Sequence, residues 1–95
     1  GLGGSVYILD DRDPRNMVLG IMEQYVGGLV GKKGQTISDI QQASGASIQI
    51  SHKEEYIPGT RDRKVNISGE PSYVHAAYVL ICNKVKGFSL RGERS

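Results

Sequence analysis

The chain of 95 residues has a single cysteine, Cys82, which excludes an internal disulfide and any multi-cysteine zinc site and fits a reducing, intracellular compartment. Long apolar runs are missing too. None approaches the ~20 residues of a membrane span, and the first residues lack the basic-then-apolar order of a signal peptide, so no membrane partner is expected. An excess of one charge is equally absent: 12 Lys+Arg against 10 Asp+Glu leave a net +2, far from the composition of a protein that coats duplex DNA nonspecifically. Any nucleic-acid contact therefore has to be local. His52, His75 and Cys82 are too scattered in the chain for a metal site, and no Ser/His/Asp or Cys/His grouping is suggested. A chain of this length buries one modest core with no room for a second catalytic lobe. No enzyme activity, cofactor or small-molecule substrate is expected.

What is present is an alternation of short patterned segments. Residues 1–15 open with Gly1-Leu2-Gly3-Gly4-Ser5, pass through an apolar patch at 6–9 and end in Asp10-Asp11-Arg12-Asp13-Pro14-Arg15. They read as a flexible flank or linker in which the patch could add a strand. In 17–22, Met17, Leu19 and Ile21 share one face of a predicted strand. Residues 23–30 predict a short helix with the stripe Tyr25, Val26, Leu29 and Val30. Gly27 and Gly28 sit inside it, each weakening a helix by ~1 kcal/mol relative to alanine, so something other than propensity favours small residues there. Ile37, Ile40 and Ala43 predict a second helix over 35–44, ended by a left-handed Gly45.

Residues 46–51 alternate, with Ile48 and Ile50 on one face and Ser47, Gln49 and Ser51 on the other. The polar stretch 52–62, with Pro58-Gly59, predicts an exposed loop, and 63–68 a strand with Val65 and Ile67 inward. Pro71 suits the first turn of a last helix carrying Val74, Ala77, Tyr78, Ile81, Cys82 and Val85. Lys84 and Lys86 complement its C-terminal dipole and Gly87 is its expected stop. Residues 88–95 read as a flexible tail. That leaves one domain over 16–87, in the order β-α-α-β-β-α.

The chemistry concentrates in Gly31-Lys32-Lys33-Gly34. Two glycines three apart, joining two short helices, let a backbone approach a phosphodiester chain without Cβ clashes, and the lysines between them supply counter-charge. The second helix starts just after this loop, so its unpaired N–H groups and positive dipole end lie where phosphates would run. A P-loop ending here would need glycine at position 29 and lysine at 35, but the chain has Leu29 and Gln35. Leu29 also breaks the dinucleotide fingerprint. Alone, such a glycine pair marks an ordinary turn more often than a site.

Its context is more informative. The glycine-tolerant helix, the GxxG loop, Ile37, the Ser44-Gly45-Ala46 helix stop and the β-β-α remainder stand in an order that resembles the eukaryotic, type I KH domain over 16–87. Residues 23–68, including Tyr56-Ile57-Pro58-Gly59-Thr60-Arg61-Asp62-Arg63-Lys64-Val65, are similar without a gap to the third KH domain of the Nova family of splicing regulators. The resemblance implies an α+β fold, a three-stranded antiparallel sheet with three helices packed on one face. It also implies sequence-selective binding of single-stranded RNA, or single-stranded DNA, over about four nucleotides.

On that resemblance Gly31, Lys32, Lys33 and Gly34 hold the nucleic-acid backbone. Gly27, Gly28, Val30, Ile37, Ile48, Gln49, Ile50 and Arg61 belong to the base groove, together with Glu23 and Arg63. Glu23 and Arg63 read a cytosine edge and the main chain at Ile50 pairs with adenine, giving a C-A core. A role in pre-mRNA splicing or other post-transcriptional regulation, in nucleus or cytoplasm, is implied in the same way. So are further KH domains in the full-length protein, because a lone four-nucleotide reader binds weakly. Within the pattern, Lys33 stands where many relatives carry glycine, Gln35 where a basic residue is frequent, Ser47 for an arginine and Met22 for a proline.

Simpler readings stand beside these. Lys32 and Lys33 could be a solvated turn, Glu23 a helix-capping acid, and Arg61, Arg63 and Lys64 a charged strand edge. Tyr56, Tyr73 and Tyr78 fall in a loop and a helix, which does not fit the strand-borne aromatic platform of an RRM. The competing function is a KH-fold protein–protein or dimerisation module; an intact basic GxxG favours nucleic acid.

Overall fold

The computed structural model describes residues 5–92, with side chains to residue 88. Strands β1 (Val6–Asp13), β2 (Asn16–Met22), β3 (Ser47–Ile50) and β4 (Asp62–Ser68) pair antiparallel in the order β1-β2-β4-β3. Helices α1 (Glu23–Val30) and α2 (Gln35–Ser44) stand between β2 and β3, joined through a 3-10 turn at Lys32–Gly34. Helix α3 (Pro71–Gly92) follows β4. No helix among the described residues is long and apolar enough to cross a membrane.

Strand alternation sends Leu19, Ile21, Val65 and Ile67 to one face of the sheet, where each is fully buried and Ile48 nearly so. The helices cover that face with Val26 and Leu29 of α1, Ile40 of α2, and Val74, Ala77, Ile81 and Val85 of α3. The α3 positions recur every three or four residues, which is why one stripe of that helix meets the sheet. Tyr78 and Cys82, expected on the same stripe, lie at its half-buried margin. At the end of α2, Gly45 takes φ +85° and closes its N–H on the Gln41 carbonyl at 2.8 Å, while the buried Ser44 hydroxyl accepts the Ala46 N–H at 3.1 Å. This left-handed stop matches the pattern read from Ser44-Gly45-Ala46.

Two boundaries differ from expectation. The sheet has four strands rather than three, the additional one being β1 from the segment set apart as a flank. Val6, Tyr7 and Ile8 pair with Ile21, Gly20 and Leu19, and the register then slips at Leu9 and again between Asp10 and Asp13. Those bulges let a strand end carry the run Asp10-Asp11-Arg12-Asp13 at a solvent edge. The Tyr7 ring lies over Gly20 so closely that a Cβ there would overlap it, and the Tyr7 hydroxyl reaches past β2 to donate to the Asp62 carboxylate.

The last helix also continues through Gly87 to Gly92 instead of stopping. Phe88 supplies the reason: its ring packs on α1, where a Cβ added to Gly28 would meet it at 2.6 Å. Burying an aromatic outweighs the ~1 kcal/mol that an internal glycine costs a helix. The linker reading of residues 1–4 and the tail reading of residues 93–95 lie outside the described residues.

Candidate nucleic-acid interface

The loop between α1 and α2 is built from left-handed backbone. Gly31 ends α1 at φ +79° with its N–H on the Gly27 carbonyl at 2.9 Å, and a Cβ on it would overlap the Thr36 side chain. Gly34, at φ +76°, donates to the Gly31 carbonyl at 3.1 Å and leads into α2. Only glycine meets both demands at Gly31. Lys33 is also left-handed, at φ 55°, a conformation that costs an L-residue with a side chain on the order of 1 kcal/mol. Both Lys32 and Lys33 are exposed. No side chain caps the start of α2; the Gln35 N–H is taken by the Lys32 carbonyl, and the positive dipole end of the helix lies beside two ammonium groups.

Beside the loop, the expected groove residues separate into distinct environments. Gly27 is exposed, and a Cβ built on it would meet nothing within 4 Å, so its missing side chain opens space on α1. Val30, Ile37 and Ile50 are partly buried against the core and keep apolar surface toward solvent. Ile48 is only 6% exposed and belongs to the core itself. Two expected members lie elsewhere. Gly28 is turned to Phe88, so its small size is a packing requirement of α3 rather than of the groove. The Gln49 side chain alternates to the opposite face of β3 from Ile48 and Ile50, on the side of Lys64 and Asn66.

Strand β3 is an edge, pairing with β4 on one side only. The Ser51 N–H bonds the Lys64 carbonyl at 2.9 Å, toward β4, whereas the Ile48 N–H points the other way and is held by the Gln41 side-chain oxygen at 2.8 Å. Alternation therefore aims the Ile50 N–H and C=O outward, in a donor–acceptor pair facing away from the sheet. Gln41, which caps this edge at Ile48, carried no signal in the sequence, since any polar residue suits that helical surface.

At the first turn of α1, Glu23 meets Arg63 from β4. Arg63 Nη1 lies 3.2 and 3.1 Å from the two Glu23 carboxylate oxygens, and Nε donates to the Ser51 carbonyl at 3.0 Å. The Arg63 side chain is 11% exposed and that of Glu23 41%, so the guanidinium is fixed by protein while the carboxylate fronts solvent. Together they set an acceptor beside a donor, the complement of a base edge that carries an amino group next to a ring nitrogen. Arg61 is separate from this pair: it lies in the loop before β4, its guanidinium over the Tyr56 ring at 5.7 Å. Among the described residues, no group of three or more His, Cys, Asp or Glu is placed to hold a metal ion.

An α+β domain that joins a glycine turn, two exposed lysines and an apolar strip along one sheet edge has the parts of a binding module. The KH domain family matches residues 17–83, and the chain belongs to that family. It is 45% identical over 67 residues to the human RNA-binding protein Nova-2, covering 70% of this chain and 14% of that protein. It is 39% identical over 77 residues to the RNA-binding protein Pasilla of Drosophila melanogaster, covering 81% of this chain and 10% of that one. The chain thus spans a small part of either relative.

Proposed function

We propose that this domain binds about four nucleotides of single-stranded RNA with a C-A core. The Gly31-Lys32-Lys33-Gly34 loop holds the phosphodiester backbone, and bases lie on Gly27, Val30, Ile37 and Ile50. Glu23 and Arg63 read the cytosine edge, and the outward N–H and C=O of Ile50 pair with adenine. The observation that supports this best is the relation of two unlike features through one helix. Glu23 begins α1 and the basic loop follows its last residue, so reader and clamp stand roughly 12 Å apart along an eight-residue helix. That the relatives are themselves RNA-binding proteins favours the same ligand.

In the longer protein of which such a chain is a part, the domain serves pre-mRNA splicing or another post-transcriptional step, in nucleus or cytoplasm, alongside further KH domains. Reversing both loop charges, Lys32→Asp with Lys33→Asp, is expected to weaken binding of a C-A RNA by more than about tenfold at fixed salt, since two phosphate contacts become repulsive. The melting temperature should stay within a few degrees, because both side chains are exposed. Unchanged affinity in that titration would contradict the clamp.

A further inference from the structure

The loop between β3 and β4 folds into a hairpin carrying an aromatic residue that the proposed site does not use. Tyr56 faces Arg63 across an antiparallel bridge, and residues so paired leave the backbone on the same side. On that side Arg63 runs to Glu23 and the Ser51 carbonyl, while the neighbouring Asp62 points away to Tyr7. Tyr56 therefore stands next to the guanidinium assigned to base reading. Arg61 lies above its ring, with Cζ 5.7 Å from the centroid, within cation–π range. The ring is half-buried and Arg61 is exposed.

The hairpin is braced. Ile57 donates its N–H to the Asp62 carbonyl at 2.9 Å, and the Thr60 N–H and hydroxyl both donate to the Ile57 carbonyl, at 2.9 and 2.8 Å. Thr60 Oγ1 in turn accepts the Asp62 N–H at 2.9 Å. Gly59, at φ +80° after Pro58, makes the type II turn that closes the loop. A braced loop presents its side chains with little ordering cost on binding.

We propose that Tyr56 and Arg61 form a stacking subsite for one further nucleobase, flanking the four-nucleotide core and adjoining the Glu23–Arg63 pair; this rests on the RNA reading above. An aromatic ring and a guanidinium plane accept any base through its π face, so the subsite adds affinity with little base preference. Backbone contact at the glycine loop is not involved.

The test compares the unaltered protein with Tyr56→Ala, Tyr56→Phe and Arg61→Ala. Each is titrated at fixed salt with a C-A tetranucleotide and with that RNA extended by one purine or pyrimidine at its 5′ or its 3′ end. One extension is expected to tighten binding by about 5- to 100-fold for either base type. Tyr56→Phe should keep that gain, Tyr56→Ala should abolish most of it and Arg61→Ala should reduce it, while both Tyr56 variants bind the tetranucleotide as the unaltered protein does. A gain undiminished in Tyr56→Ala, no gain at either end, or an equal loss on the tetranucleotide itself would overturn the subsite and leave the RNA reading standing. Failure of the unaltered protein to bind the tetranucleotide or any extension would overturn the RNA reading instead.

Discussion

Gly27 and Gly28 are neighbours with different surroundings. The space above Gly27 is empty and the space above Gly28 is filled by Phe88. Alanine at Gly27 should therefore fit the fold and stiffen α1, raising stability by about 0.5–1 kcal/mol, or a few degrees in melting temperature. The same methyl group should obstruct bases in the groove, so RNA affinity should fall as stability rises; a Gly27→Ala variant that binds RNA as tightly as the parent would remove Gly27 from the site. That both glycines answer to something beyond helix propensity was legible in the sequence. Which of them answers to a ligand was not, because the partner of Gly28 lies 60 residues away, beyond an expected helix stop. Period-two alternation had already put Gln49 opposite Ile48 and Ile50. The family resemblance drew it into the groove, and the structure follows the alternation.

Among the elements, α1, α2, β2 and β4 follow their sequence patterns to within a residue or two, since each carries its own apolar period and a clear stop. Strand β1 does not announce itself in that way. Its second half is charged, and what makes it a strand is a neighbour: Gly20 on β2 leaves a gap that the Tyr7 ring covers, and Asp62 on β4 accepts the Tyr7 hydroxyl. The hydrogen bond to that carboxylate, with desolvation and the nearby charge, pushes the Tyr7 pKa from 10.0 up to about 12. Because the folded value is raised, the stabilisation is complete below pH 10 and is lost as the pH climbs from 10 toward 12. Tyr7→Phe should cost about 1 kcal/mol at pH 7, and its deficit relative to the parent should shrink over that alkaline window. Denaturant midpoints measured at several pH values check this; a deficit constant up to pH 12 would mean that the hydrogen bond carries none of it.

For the molecule as a whole, the family range of residues 17–83 leaves β1 outside and ends within α3. The fold therefore adds a strand and a helical extension around a family core. Composition had indicated a local rather than global electrostatic footprint, and a net charge of +2 with two exposed lysines on one glycine loop agrees with it. On the proposed RNA reading, one such unit is expected to bind weakly, because two lysines neutralise few phosphates.

The central claim is that one strip of this surface, from the glycine loop past Gly27 and Ile50 to Glu23 and Arg63, receives the RNA. Following backbone amide signals of the labelled protein during titration with a single-stranded C-A RNA tests it directly. Signals of Gly27, Gly31 to Gly34, Ile50 and Arg63 are expected to shift, with His75, Val79 and Asn83 on the exposed side of α3 unmoved. Shifts confined to α3 or β1, with the loop signals unchanged, would contradict it.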